Sequence, residues 1–138
     1  MNQSGKGGEE NRKYKRALAS FCVLYTIKDP FLVRISIGNS ECSAVAQDIG
    51  EGGMALLTNY ELPFNSLLTL KFTILNGNVF RKDERTHTFE LDAHVRYCLQ
   101  EQKMAYRLGV CFASISDSDR DYIANYVRSN ALIPNSNA

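Results

Sequence analysis

The clearest periodicity in the chain runs from residue 86 to residue 97, where His87, Phe89, Leu91, Ala93, Val95 and Tyr97 alternate with Thr88, Glu90, Asp92, His94 and Arg96. A period of two puts one set on a dry face and the other on a wet one, which predicts a long, half-buried antiparallel strand. Residues 67–75 repeat the pattern, with Leu68, Leu70, Phe72 and Ile74 set against Thr69, Lys71 and Thr73. Tyr106, Leu108, Val110 and Phe112 give it once more. Upstream, residues 17–27, 31–37, 42–49 and 54–58 are shorter runs of β-formers and are also predicted as strands. Lys28-Asp29-Pro30 closes the first of these, because proline cannot donate to a ladder. The connection 37–41, containing Gly38, is short enough to join the next two as a hairpin.

The period changes after Ser116. Ser116 is a helix N-cap, Asp117 and Asp119 place negative charge in the first turn, and Ile123, Tyr126 and Val127 fall at i, i+3 and i+4 on one apolar stripe. Asn130 ends this helix and Pro134 prevents its return. Many short strands closed by one amphipathic helix predict a mainly β fold, an antiparallel barrel or sandwich with a C-terminal helix.

With 138 residues, 44% apolar and 22% charged, the chain has the composition of one soluble domain. No apolar run is long enough to span a bilayer and the N-terminus lacks a signal peptide's hydrophobic stretch, so a cytoplasmic protein without a membrane span is expected. Residues 1–11 are rich in Gly, Ser and charge and are expected to form a flexible arm, 12–130 the folded body, and 131–138 a disordered tail. Cys22, Cys42, Cys98 and Cys111 sit in apolar runs without a CxxC pair and are read as reduced core residues.

Charge is uneven along the chain. Residues 1–16 carry five Lys or Arg against two Glu, and the remainder 11 basic against 13 acidic residues. A basic arm on a mildly acidic body suits a small anionic ligand better than a nucleic-acid polymer, which would call for a basic stripe across the domain. The run 81–85 nearly cancels its own charge and reads as a solvated loop. His87 and His94 have no partner at catalytic or metal spacing, and Arg96 and Arg107 lie on polar strand faces, so all four are read as structural or solvated. No nucleophile–base pair, phosphate loop or metal cluster is present, so neither a catalytic nor a metal-ligating residue is expected and an enzyme ranks last.

Two stretches carry chemistry. Asp48-Ile49-Gly50-Glu51-Gly52-Gly53 concentrates three glycines between two strand-like runs, marking a backbone that takes φ > 0 or approaches another group closely. Arg12-Lys13-Tyr14-Lys15-Arg16 places two arginines four apart where the arm meets the body. Together they resemble the PilZ family, whose ligand motif is RxxxR followed by [D/N]xSxxG. Asp48 and Gly53 match its first and last positions, and Gly50 replaces its serine. The resemblance implies a six-stranded antiparallel barrel with a helix after its last strand. It also implies a ligand, cyclic di-GMP, a bacterial second messenger with two phosphates and two guanines.

The ligand-binding residues so implied are Arg12, Lys13, Arg16, Asp48, Gly50 and Gly53. Arginine pairs bidentately with phosphate or with guanine O6 and N7. Asp48 is suited to accept from guanine N–H groups or to orient an arginine, and Gly53 to let a base approach. A missing serine hydroxyl removes one hydrogen bond, which weakens binding by about tenfold. The expected function is a receptor or adaptor whose arginine arm orders over the ligand and whose changed surface engages an unidentified downstream protein, as a monomer or weak dimer. The alternative is a degenerate PilZ domain that acts as a protein-interaction module without nucleotide.

Overall fold

The computed structural model describes residues 15–38, 40–77 and 85–130. Its strands are β1 (Arg16–Leu18), β2 (Cys22–Asp29), β3 (Cys42–Gly50), β4 (Gly53–Thr58), β5 (Leu67–Leu75), β6 (Thr86–Gln102) and β7 (Ala105–Phe112), with helices α1 (Phe31–Ser36) and α2 (Asp117–Asn130). All pairings are antiparallel, in the order β3-β2-β5-β6-β7-β4, and a β3–β4 ladder closes the sheet into a six-stranded barrel. Closure leaves the barrel proper without edge strands. The predicted fold class is the observed one.

The run 17–27 is two strands that share one neighbour. Leu18 lies opposite Asp48 and Cys22 opposite Val45, so the chain spends four steps where β3 spends three. The slip breaks the ladder, and β1 continues along β3 where β2 leaves off.

The run 31–37 is a correction. It forms α1 and not a strand, and the connection after it is no hairpin. Val and Ile content alone suggested β-structure, but Pro30 precedes the helix and Gly38, at φ 105°, closes it by donating its amide to the Ile35 carbonyl. Proline before and left-handed glycine after is the punctuation of a short helix. Phe31, Leu32 and Ile35 remain exposed on it.

The interior is filled by the alternating residues the periodicity selected, among them Leu68, Leu70, Phe72, Ile74, Phe89, Ala93, Val95, Leu108 and Val110. An aromatic stack crosses it: Phe21 on Phe72 at 5.6 Å, Phe72 on Phe89 at 4.6 Å, and Phe89 edge-on to Tyr122 of α2 at 6.1 Å. Tyr25 is buried and shares a hydrogen bond with Thr58 at 2.8 Å; burial pushes its phenol pKa well above the ordinary value. Ser116 caps α2 by accepting from the Asp119 amide at 3.1 Å, and Ile123 and Val127 enter the core as the stripe required. His87 is structural: its Nε2 meets Asp119 Oδ1 at 2.8 Å and its ring stacks on Tyr122 at 4.7 Å, fastening α2 to β6.

The four cysteines are free, but Cys22 is exposed and Cys98 and Cys111 only half-buried, so Cys42 alone fits the reading of a core thiol. Cys22 points outward because its neighbour Val23 takes the inward place. The expectations for residues 1–11, 81–84 and 131–138 concern segments outside the described residues.

Candidate functional site

The β3 strand carries one residue too many. Ala46 lies opposite Leu56 and Asp48 opposite Ala55, leaving Gln47 as an extra residue in a bulge. Ala46 and Ile49 both point into the core, so Gln47 and Asp48 both face outward, where regular alternation would have sent one of them inside. The bulge therefore sets an amide and a carboxylate side by side on the outer face of the barrel.

Arginines approach this pair from two sides. Arg16, on β1, donates from Nε at 2.9 Å and from Nη2 at 2.5 Å to Asp48 Oδ1. Arg107, on β7, donates from Nη2 to Asp48 Oδ2 at 3.2 Å and from Nη1 to Gln47 Oε1. Both carboxylate oxygens are thus engaged by guanidinium groups. Asp48 is 8% exposed, while the arginine side chains keep 18% and 25% of their surface. Partial burial works against the charge of Arg107, but the neighbouring Tyr97 hydroxyl and the Asp48 carboxylate outweigh it and push the guanidinium pKa further above its ordinary value. Two cations on one anion leave one positive charge in excess.

The floor beside this cluster combines two small residues with one aromatic ring. Asp48, Ala55, Gly109 and Tyr97 lie opposite one another in a row across β3, β4, β7 and β6. The Tyr97 ring occupies the space that a side chain at Gly109 would need. Arg107 stands in the next row, between Leu57 and Leu99.

The structure brings together Arg16, Asp48 and Gly50 from the predicted set; Arg12 and Lys13 lie outside the described residues. Among the described residues Gly38 is the one glycine with φ in the left-handed region, so Gly50 and Gly53 serve close approach and not an unusual turn. At Gly53 the approaching group is the barrel itself, since a Cβ there would overlap the Val110 carbonyl of β7. Gly53→Ala is expected to lower stability by about 1–3 kcal/mol through overpacking. Urea melts check this, and an unchanged midpoint would mean that the β4–β7 contact has room to spare.

Arg107 is the site residue that sequence reasoning missed. A charged residue on the wet face of a strand looks solvated, and only the register of β4 and β7 carries it to Asp48. His94, also on the wet face, has a buried Nδ1 that meets no hydrogen-bond partner.

A family model described as the PilZ domain matches residues 10–129. The chain belongs to the PilZ domain family. No curated relative matches the sequence. Among solved structures, the Bacillus subtilis inhibitor of motility MotI/DgrA is similar at 17% identity and a TM-score of 0.64, over 86% of this chain and 50% of that one. The PilZ domain of YcgR from Escherichia coli, solved with c-di-GMP, is similar at 16% identity and a TM-score of 0.57, over 87% of this chain and 91% of that one. The K. pneumonia MrkH–c-di-GMP complex is similar at 16% identity and a TM-score of 0.57, over 86% and 51%. The chain spans about half the length of the Bacillus protein it resembles. PilZ domains of this kind are receptor and adaptor domains, and among the described residues no helix is long and apolar enough to cross a membrane.

Proposed function

We propose that this chain is a cyclic di-GMP receptor domain that binds its ligand on the outer face of β3, β4 and β7, with the arginines of the N-terminal segment closing over it. The observation that carries the reading is the Arg16–Asp48–Arg107 cluster, a partly exposed site with one positive charge in excess and two planar donor forks. Membership of the PilZ family and the likeness to structures solved with c-di-GMP support it. The forks match the ligand's phosphates and the O6 and N7 atoms of its guanines. Asp48 orients both arginines and in this arrangement has little capacity left for a base. The domain works by contact: β1 is tied to α2, because the Tyr126 hydroxyl donates to the Leu18 carbonyl at 3.3 Å, so a change at Arg16 reaches the helix surface that a partner protein would read.

Titration calorimetry with cyclic di-GMP tests this. Arg16→Ala and Arg107→Ala are each expected to weaken binding about tenfold or more, since a hydrogen bond to a charged group contributes about 1.5–3 kcal/mol. Lysine at either position restores the charge but not the fork, and recovers little. Absence of heat at high micromolar ligand would defeat the proposal.

Gly50 favours a second reading, an interaction module that keeps the barrel without the nucleotide. A stable partner complex indifferent both to cyclic di-GMP and to loss of Arg16 would decide for it.

A further inference from the structure

Gly50 is usually to be counted as a loss, since the family's motif has a hydroxyl there. Its surroundings indicate a different role. Arg16 lies directly opposite Gly50 in the β1–β3 ladder. A Cβ built on Gly50 would fall 2.7 Å from the Lys15 carbonyl oxygen and 2.7 Å from Cδ of Arg16. One of these atoms is backbone and the other lies in the middle of a side chain whose far end is held by Asp48, so neither can simply turn away. The space a side chain would take is already filled by the chain that delivers the arginine.

We propose that Gly50 is the seat on which the arginine-bearing segment docks, and that its missing side chain lets Arg16 reach Asp48 before any ligand arrives. Three further contacts hold the segment there: the β1 ladder itself, the Ala19 amide donating to the Gln47 carbonyl at 3.0 Å, and the Tyr126 hydroxyl on the Leu18 carbonyl. With β1 seated, Arg16 is pre-organised, and binding does not have to fix its long side chain. The site is then assembled at Arg16 before the ligand arrives. The expected effect of putting the serine back is therefore opposite in sign to that from counting hydrogen bonds. A side chain at position 50 lifts β1, separates Arg16 from Asp48 and weakens binding.

The binding half of this inference rests on the cyclic di-GMP reading; the docking half does not. The test uses Gly50→Ser and Gly50→Ala in the full chain, the alanine separating the effect of Cβ from that of the hydroxyl. Amide hydrogen exchange is followed at residues 16–19, with Leu108 and Val110 of β7 as an internal reference, and cyclic di-GMP is titrated by calorimetry. Both variants are expected to exchange at residues 16–19 at least about tenfold faster while the β7 amides stay protected. Both are also expected to bind at least about tenfold more weakly than the parent chain. Wild-type exchange in β1 of the variants, tighter binding by the serine variant, or loss of protection in β7 as well would each overturn the seat. Should the parent chain itself not bind cyclic di-GMP, the ligand reading falls and the exchange comparison still decides the docking.

Discussion

Replacing Asp48 by alanine is expected to reduce cyclic di-GMP binding by at least about 100-fold, equivalent to about 2.7 kcal/mol. The residue is nearly buried and is the common acceptor for Arg16 and Arg107, so its loss disorganises two donor groups together. Without the carboxylate the guanidinium groups repel each other across the gap, and β1 loses the side-chain contact that helps to hold it on β3. Asp48→Asn keeps an oxygen in place but removes the charge, and is expected to fall between alanine and the parent. Calorimetry on the series checks the order, with exchange at residues 16–19 reporting whether β1 has left the barrel. Binding by Asp48→Ala within a few-fold of the parent would mean that the arginines find their positions without it.

Phe89→Ala is expected to be the most destabilising single change considered, by about 3–5 kcal/mol, the range for deleting a buried phenyl ring. Phe89 is fully buried and stands at the middle of the stack that links Phe21, Phe72 and Tyr122. Its removal opens a cavity where β2, β5, β6 and α2 meet, and a closed barrel cannot shrink to fill it. Against a total stability of about 5–15 kcal/mol, such a loss takes a large share. The midpoint of thermal unfolding is expected to fall by about 10–15 °C. Scanning calorimetry or a guanidinium melt measures it, and a shift of only a degree or two would show that the stack repacks. The Asp48 and Phe89 effects are expected to be separable: the first leaves most of the core intact, the second leaves the donor groups in place.

The barrel was legible in the sequence wherever one face is wet and the other dry, because burial on a single face enforces a period of two over residues 67–75 and 86–97. α2 was legible for the corresponding reason, with a cap, acids in its first turn and one stripe. α1 was not, since a six-residue helix with no buried residue leaves no periodic trace. Its signal lay in Pro30 and Gly38 and was outweighed by the β-branched residues between them. In the site, Asp48 and Arg16 could be named from a motif, but their partner Arg107 could not. It is 59 residues from Asp48 along the chain, and the distance between them is set by the register of three strands. Gly53 was assigned to ligand approach from the same motif, where the packing of β4 on β7 already requires a glycine.

The side-chain cluster owes its make-up to one extra residue. Were β3 shorter by the residue at position 47, plain alternation would still turn Ala46 and Ile49 toward the greasy centre and Asp48 toward the rim, but the acid would stand without an amide beside it and Arg107 would lose one of its two acceptors. A single codon's worth of chain thus decides whether the recess on the container's wall offers one acceptor or two, and the container need not change for the second to be gained or lost.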